Sequence, residues 1–142
     1  MSSHWGAETG YGMFLNWEEA EAMAKKAFKI KSGIDGEDES DINIWALNDY
    51  FDCDCSIVDR EERYDLTGVE YLATGEREDY VEGAMFYGNK GGTVLQDKAK
   101  DNCYKDIHEM ADYFCKKYGE YLPVDFFDYE AHLVVFWGAN WG

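Results

Sequence analysis

Basic residues are scarce in this chain: 13 lysines and arginines face 30 aspartates and glutamates, a formal net charge of −17 over 142 residues. Duplex nucleic acid carries one negative charge per ~1.7 Å of axis, and proteins bind it by neutralising those phosphates with Lys and Arg. The balance therefore argues against direct nucleic-acid binding and for a basic partner. Long apolar runs are missing too. No stretch reaches the ~18 apolar residues that a membrane-spanning helix needs, so no membrane partner is expected. The start of the chain has neither a basic leader nor an apolar core, so no secretory signal is expected and the cytoplasm is the expected compartment.

The familiar chemical motifs are absent as well. Gly88 to Thr93 lies between an apolar run and a helical segment, but Thr93 stands where a phosphate-binding loop needs Gly, and no Lys-Ser/Thr pair follows. The acid run Asp35 to Asp41 lacks the order of a calcium loop and its closing bidentate Glu. Cys53 and Cys55 form the one close cysteine pair, and no spacing of Cys or His supplies the two further ligands of a zinc site. Cys103 and Cys115 fall in a helical segment, about 120° apart around the axis and ~18 Å along it, which forbids a mutual disulfide. Reduced, mostly buried thiols are expected, with no metal and no cofactor. His4, His108 and His132 are the three histidines, and no elbow or triad motif surrounds any cysteine. The expectation is a protein without catalytic residues. An enzyme would need a pocket with His108 or His132 beside a carboxylate or thiol.

What the chain does have is apolar and aromatic mass. Hydrophobic residues make up 46% and aromatic residues 17%, which excludes the disordered acidic class. A chain of this length buries roughly 70% of its unfolded surface, so one folded domain is expected over residues 1–142. Tyr11 to Leu15 reads as a strand. Asn16 and Glu19 form a capping box, and Ala20, Met23, Ala24, Ala27 and Phe28 make the stripe of a helix from about Trp17 to Lys29. Its glutamates come first and its lysines last, as the helix dipole favours.

Lys31 to Ser40 reads as loop. Ser40 fits the cap of a second helix running to Phe51, with Ile44, Leu47 and Phe51 inward. Alternation of Ile42, Ile44 and Ala46 also fits a strand; helix is favoured because Leu47, Asn48 and Asp49 suit a strand poorly. Cys55 to Asp59 reads as a strand. Val69 to Ala73 and Tyr80 to Tyr87 read as two strands joined by a turn at Thr74, Gly75 and Glu76. A long helix is expected from Gln96 to Tyr118, with Cys103, Ile107, Met110, Ala111, Phe114 and Tyr118 on one face. Gly119 is its expected C′ residue, and Pro123 prevents it from resuming. Ala131 to Trp137 is apolar after His132 and reads as a central strand. The expected fold is α+β: a mainly antiparallel sheet of four to five strands with two or three helices packed on it.

The charge is not spread evenly. Of the −17, −14 lies within residues 35–82, and residues 35–65 alone carry twelve acids against Arg60 and Arg63. Concentrated like charge costs stability unless a partner or a function offsets it. Asp35, Glu37, Asp38, Glu39, Asp41, Asp49, Asp52, Asp54, Asp59, Glu61, Glu62 and Asp65 are the candidate charges for facing Arg and Lys. Trp45, Tyr50 and Tyr64 are candidate stacking groups among them, since aromatic anchors and charge steering together make protein-binding surfaces. Trp5 and Trp141, beside glycines near the two ends, are further candidates for an exposed cluster. Trp17 and Trp137 are expected to pack against the sheet.

Carboxylates interleaved with aromatics imitate a strand of phosphates and bases. In that character the chain resembles the anti-CRISPR proteins of phages and mobile elements, small acidic single-domain inhibitors without catalytic motifs. Glu39 to Tyr50 is also similar to the acidic, aromatic-Asp-Tyr segment of ArdA-type anti-restriction DNA mimics. The opening strand and the final helix–strand unit do not follow that family. Tyr121 to Tyr129 looks like small proteins of bacterial mobile elements. The resemblance implies a non-catalytic inhibitor in the cytoplasm of a bacterial host, bound to a basic nucleic-acid-binding protein such as a CRISPR nuclease. The alternative is an acidic interaction or oligomerisation domain whose charge keeps an aromatic-rich protein soluble.

Overall fold

Asn16 is where the first strand turns into the first helix. In the computed structural model, which describes residues 5–32, 41–51, 54–59, 66–88 and 106–141, strand β1 (Trp5–Asn16) runs directly into helix α1 (Trp17–Ser32). The capping box is formed as the sequence predicts: Glu19 N–H donates to Asn16 Oδ1 at 2.9 Å, and Asn16 N–H donates to Glu19 Oε1 at 3.0 Å. Two otherwise orphaned backbone donors are thereby satisfied where the chain reverses. Ala20, Met23, Ala24 and Ala27 of the predicted stripe are fully buried.

The remaining elements are α2 (Ala46–Tyr50), β2 (Cys55–Val58), β3 (Leu66–Tyr71), β4 (Arg77–Glu78), β5 (Gly83–Tyr87), α3 (Ile107–Tyr118) and β6 (Leu133–Trp141). The strands form one antiparallel sheet in the order β2-β5-β1-β6-β3-β4. The fold is α+β, a single sheet with three helices among the described residues; the sheet has six strands, more than the four to five expected. The final strand is central, between β1 and β3, as its apolar run predicts. No helix among the described residues is long and apolar enough to cross a membrane.

Alternation along the central strands separates two apolar clusters. Met13, Leu15, Phe86 and Leu133 meet α1, α2 and α3 on one face. Phe14, Val69, Met85, Val134 and Phe136 pack together on the other, joined by Val81 from the segment between β4 and β5. On the helix face an aromatic hub ties distant elements together. The Phe51 ring lies 5.9 Å from Phe86, 5.4 Å from Tyr118 and 5.2 Å from Tyr121, and Phe86 lies 4.8 Å from Tyr118.

Five local expectations are corrected. The predicted hairpin of Val69–Ala73 with Tyr80–Tyr87 is not one pair of strands. Its turn exists, with Gly75 N–H donating to Tyr71 O at 2.7 Å, but pairing stops after Glu78. Tyr80 at φ 59° and Gly83 at φ 153° redirect the chain, and β5 joins β1 and β2 instead. There Ala84, Met85 and Phe86 are buried on both faces, which an outer hairpin position could not provide. Gly83 makes this crossing sterically feasible, because a Cβ there would meet Leu15 O at 2.0 Å.

The second helix is only five residues long. Residues 43–48 are held by i→i+3 bonds (Ala46 to Asn43, Leu47 to Ile44, Asn48 to Trp45), and the Asn43 side chain takes the Trp45 N–H at 3.0 Å. Asn side chains compete with helix in this way. Ile44, Leu47 and Phe51 are nevertheless buried, as predicted; Ser40 lies outside the described residues. Gly119 is right-handed (φ −56°, ψ −35°), and the chain continues into a tight turn, Gly119–Tyr121. That continuation brings Tyr121 and Leu122 into the core. Cys115, expected to be buried, is exposed because it is rotated off the Met110, Ala111, Phe114, Tyr118 stripe. Cys55 is buried, and burial followed by the Asp54 charge pushes its thiol up to about 12. Helix α3 begins at Ile107 and does not run unbroken from Gln96: Asp106 is extended (φ −156°, ψ 178°) and its carboxylate caps the helix by accepting the Glu109 N–H at 2.9 Å. Cys53, Cys103 and residues 96–105 lie outside the described residues.

At the β3 edge, Gly68 is paired with Trp137, and a Cβ at 68 would lie 2.5 Å from the indole ring. The Arg77 guanidinium also lies over that ring, 4.8 Å from its centre. Gly68→Ala is therefore expected to destabilise the fold by about 1–3 kcal/mol through overpacking. Arg77→Ala should cost less than about 1 kcal/mol, because the cation–π contact is exposed. Urea denaturation of the two variants separates these outcomes.

Candidate functional site

Sheet register decides which functional residues can meet. Asn16 is paired with Gly83, and Gly83 with Val58, so these three backbones lie side by side at one end of the sheet. Trp17, Glu18, Asp59 and Glu82 follow or precede them by one or two residues and share that end. Helix α2 closes it: Leu47 and Ile44 are fully buried in the core beside α1, and the Trp45 ring meets Trp17 edge to face at 6.4 Å and 76°. Trp17 is half-buried against the core, whereas Trp45 is 43% exposed. The Asn43 turn holds Trp45 in place, so its face is presented from a fixed backbone. Asp41, Asp49 and Glu82 are exposed and make no ion pair among the described residues.

The other candidate residues divide into several groups. Asp54 stands at the opposite end of β2 from Asp59, about 16 Å away along the strand, and pairs with Lys117 of α3 at 3.4 Å. It serves to join α3 to the sheet. Tyr50 is half-buried and lies edge to face with Phe51 at 6.4 Å, so its ring packs on the core. Asp59 is half-buried. Asp35, Glu37, Asp38, Glu39, Asp52, Glu61, Glu62, Tyr64 and Asp65 lie outside the described residues. Trp5 and Trp141 are placed opposite each other by the β1–β6 register. Trp137 packs over Gly68, as expected of a sheet-packing residue.

Both described histidines stand beside carboxylates. His108 Nδ1 is hydrogen-bonded to Glu130 Oε1 on the surface. His132 is more enclosed. Its Nε2 lies 2.7 Å from Glu19 Oε2, its Nδ1 lies 2.6 Å from the Asp128 carbonyl oxygen, and Phe127 stacks on its ring at 4.0 Å. Burial by itself lowers the His132 pKa, but the Glu19 hydrogen bond, the Asp128 carbonyl and both negative charges outweigh it and hold it above 6.5. Burial likewise raises Glu19, and its bonds to His132 and Asn16 reverse this and hold it below 4.5. Neither imidazole is bonded to a thiol or hydroxyl among the described residues. No three His, Cys, Asp or Glu side chains among them converge on a metal-sized position.

One surface feature escapes a reading that follows charge. After Pro123 a short turn, Val124–Phe126, displays Val124 at 55% and Phe126 at 81% exposure, while the adjacent Phe127 is buried under His132. The sequence signal was the Phe126–Phe127 doublet: in a tight turn two consecutive side chains cannot share one face. No family model, curated protein or solved structure matches the chain, so the site stands on its own geometry.

The two tryptophans should separate by role. Trp45→Ala removes one edge-to-face partner and is expected to cost about 1 kcal/mol. Trp17→Ala also opens the core and should cost about 2–4 kcal/mol. Chemical denaturation followed by circular dichroism measures both, and equal losses would contradict the assignment of Trp45 to the surface.

Proposed function

We propose that this chain is a non-catalytic inhibitory protein that presents an acidic, aromatic-bearing surface to the basic nucleic-acid channel of its partner, and that the partner is a CRISPR nuclease. The observation that carries this reading is how the two signs of charge are used. At least five of the seven described lysines and arginines are engaged within the fold. Lys25 pairs with Glu21 at 3.6 Å, Lys26 donates to Leu122 O at 2.8 Å, and Lys31 lies over the rings of Phe51 and Tyr121 at 5.4 and 5.3 Å. Arg77 covers Trp137 and faces Glu70, and Lys117 bonds Asp54 and the Tyr113 hydroxyl. Exposed Asp41, Asp49, Asp79, Glu82, Asp112, Glu120 and Asp125 find no such cation among the described residues. A surface whose cations mostly contact its own groups leaves these carboxylates for an external cation, and arginine-rich nucleic-acid channels provide many.

The anti-CRISPR resemblance supplies the identity of the channel; the charge arrangement supplies its sign. Each described histidine is bonded to a carboxylate from another element of the fold, His108 to Glu130 and His132 to Glu19. A second reading, an interaction domain that docks through apolar surface, draws on Phe126 and Val124. The two differ in salt dependence, since exposed charges more than ~10 Å apart are screened at 0.1 M salt while apolar contact is not.

The test is cleavage by purified CRISPR nucleases titrated with this protein. Inhibition is expected at low ionic strength and should weaken as salt rises. Changing Asp41, Asp49 and the acids at 35, 37, 38 and 39 to their amides should weaken it about tenfold or more. Full inhibition by that variant would overturn electrostatic mimicry. Binding that persists at high salt and is abolished by Phe126→Ser would favour the interaction domain.

A further inference from the structure

The surroundings of His132 go beyond what its role as a linker requires. A neutral imidazole carries one N–H and one lone pair, so it suits one acceptor and one donor. Here both ring nitrogens face acceptors: the Glu19 carboxylate at 2.7 Å and the Asp128 carbonyl oxygen at 2.6 Å. Only the doubly protonated ring can donate to both. The neutral ring would aim a lone pair at one of the two oxygens and leave a half-buried polar group without its partner.

Each acceptor is fixed by the backbone on its own side. Glu19 cannot swing away without breaking the capping box, since its other oxygen accepts the Asn16 N–H at 3.0 Å. The Asp128 carboxylate caps the turn Glu130–His132, accepting from Glu130 N–H at 3.0 Å and from Ala131 N–H at 3.4 Å. The ring thus joins two rigid caps, one at the start of α1 and one immediately before β6.

No other cation shares this duty among the described residues. α1 presents Glu19, and the turn presents the Asp128 carbonyl and carboxylate. Glu130, in the same turn, is bonded to His108 from α3. On β3, Tyr71 is close enough to feel the charge of Glu19, with Glu76 and Glu78 beyond it. Its hydroxyl stays neutral, pushed up to about 12 by burial and by those carboxylates. β1 and β6 contribute the apolar residues Met13 and Leu133. Among the described residues, the charges that act on His132 are the negative ones of Glu19 and Asp128.

We propose that His132 is a pH-sensitive latch: as imidazolium it fastens the start of α1 to the entrance of β6, and loss of its proton releases one of the two bonds. The latch belongs to the fold and does not depend on the proposed function. Its sign follows from the direction of each shift. His132 is held above its ordinary 6.5, so its contribution to stability is complete below that value and is lost as pH rises through the raised one. Glu19 is held below its ordinary 4.5, so its contribution is complete above that value and is lost as pH falls through the lowered one. The latch is closed between the two folded-state values and opens on the alkaline side through His132.

Histidine side-chain NMR on the intact protein tests this directly. At about pH 6 both His132 nitrogens should report N–H character, with a titration midpoint above 6.5. Glu19→Gln retains a capping-box acceptor but removes the charge, and it should lower that midpoint. A merely structural contact would leave the midpoint where it was. In parallel, the Tm of the wild type should fall between about pH 6 and about pH 9 by more than that of His132→Gln. A single protonated nitrogen at pH 6, a wild-type midpoint at or below 6.5, or a midpoint unmoved by Glu19→Gln would each overturn the latch. The wild-type measurement stands alone if either variant fails to fold.

Discussion

Nine residues of the first strand, Trp5 to Met13, are paired with nine of the last, Leu133 to Trp141. This ladder joins the two ends of the described chain at the centre of the sheet, and most of the architecture follows from it. β5 can add only to the free edge of β1, and β3 only to the free edge of β6, which gives the order β2-β5-β1-β6-β3-β4. Contacts between residues so distant in sequence require the intervening chain to be ordered first or at the same time, a loop-closure cost paid before pairing stabilises anything. The aromatic hub of Phe51, Phe86, Tyr118 and Tyr121 offsets that cost from one face. It draws on three separate segments and buries large rings against the sheet.

The same ladder positions the candidate site. Because β1 must reach Asn16 before it is free to turn, the start of α1 falls at the sheet end shared by Val58 and Gly83. Trp17 then emerges from a capped helix start, and α2 can lean Trp45 against it. The Glu19 cap serves three elements at once: it closes the first turn of α1, binds His132 and thereby holds the turn before β6. Local capping and global topology meet on one carboxylate, whose two oxygens are used for different purposes.

Much of this was legible in sequence, and its limits are physical. The capping box, the α1 stripe, the inward trio Ile44, Leu47 and Phe51, and the apolar last strand all depend on neighbours within one or two turns, which periodicity reports. Pairing partners do not, so the sequence pattern around Thr74 to Glu76 implied a hairpin although the better-buried site for β5 lay across the sheet. Gly119 looked like a helix stop because Gly usually takes the left-handed cap. Here burial of Tyr121 and Leu122 favours continuing the turn. At the candidate site, Trp45 was identifiable as an aromatic within the acid-rich stretch of residues 35–65, but its contact with Trp17 was not. The Asp54–Lys117 pair was equally invisible, because a charge run says nothing about which of its members faces a cation from another element. The acids at 35, 37, 38, 39, 52, 61, 62 and 65 and Tyr64 lie outside the described residues, and no periodicity in a sequence reports which of them share a face.

Charge and exposed apolar surface together restrict what can cover the Val124–Phe126 turn. A phenylalanine 81% exposed on a turn fixed by Pro123 would ordinarily favour self-association, since two such rings can bury each other. Each copy here carries −17, and Asp125 sits between the two apolar side chains, so a symmetric contact would bring like charges together as the rings approached. Like charges juxtaposed across an interface cost several kcal/mol, more than one shared aromatic contact returns. A partner carrying Arg or Lys reverses that sign: the guanidinium both neutralises Asp125 and stacks on an aromatic face. Under the proposed function, the excess of acid over base would place a basic protein ahead of a second copy at this turn.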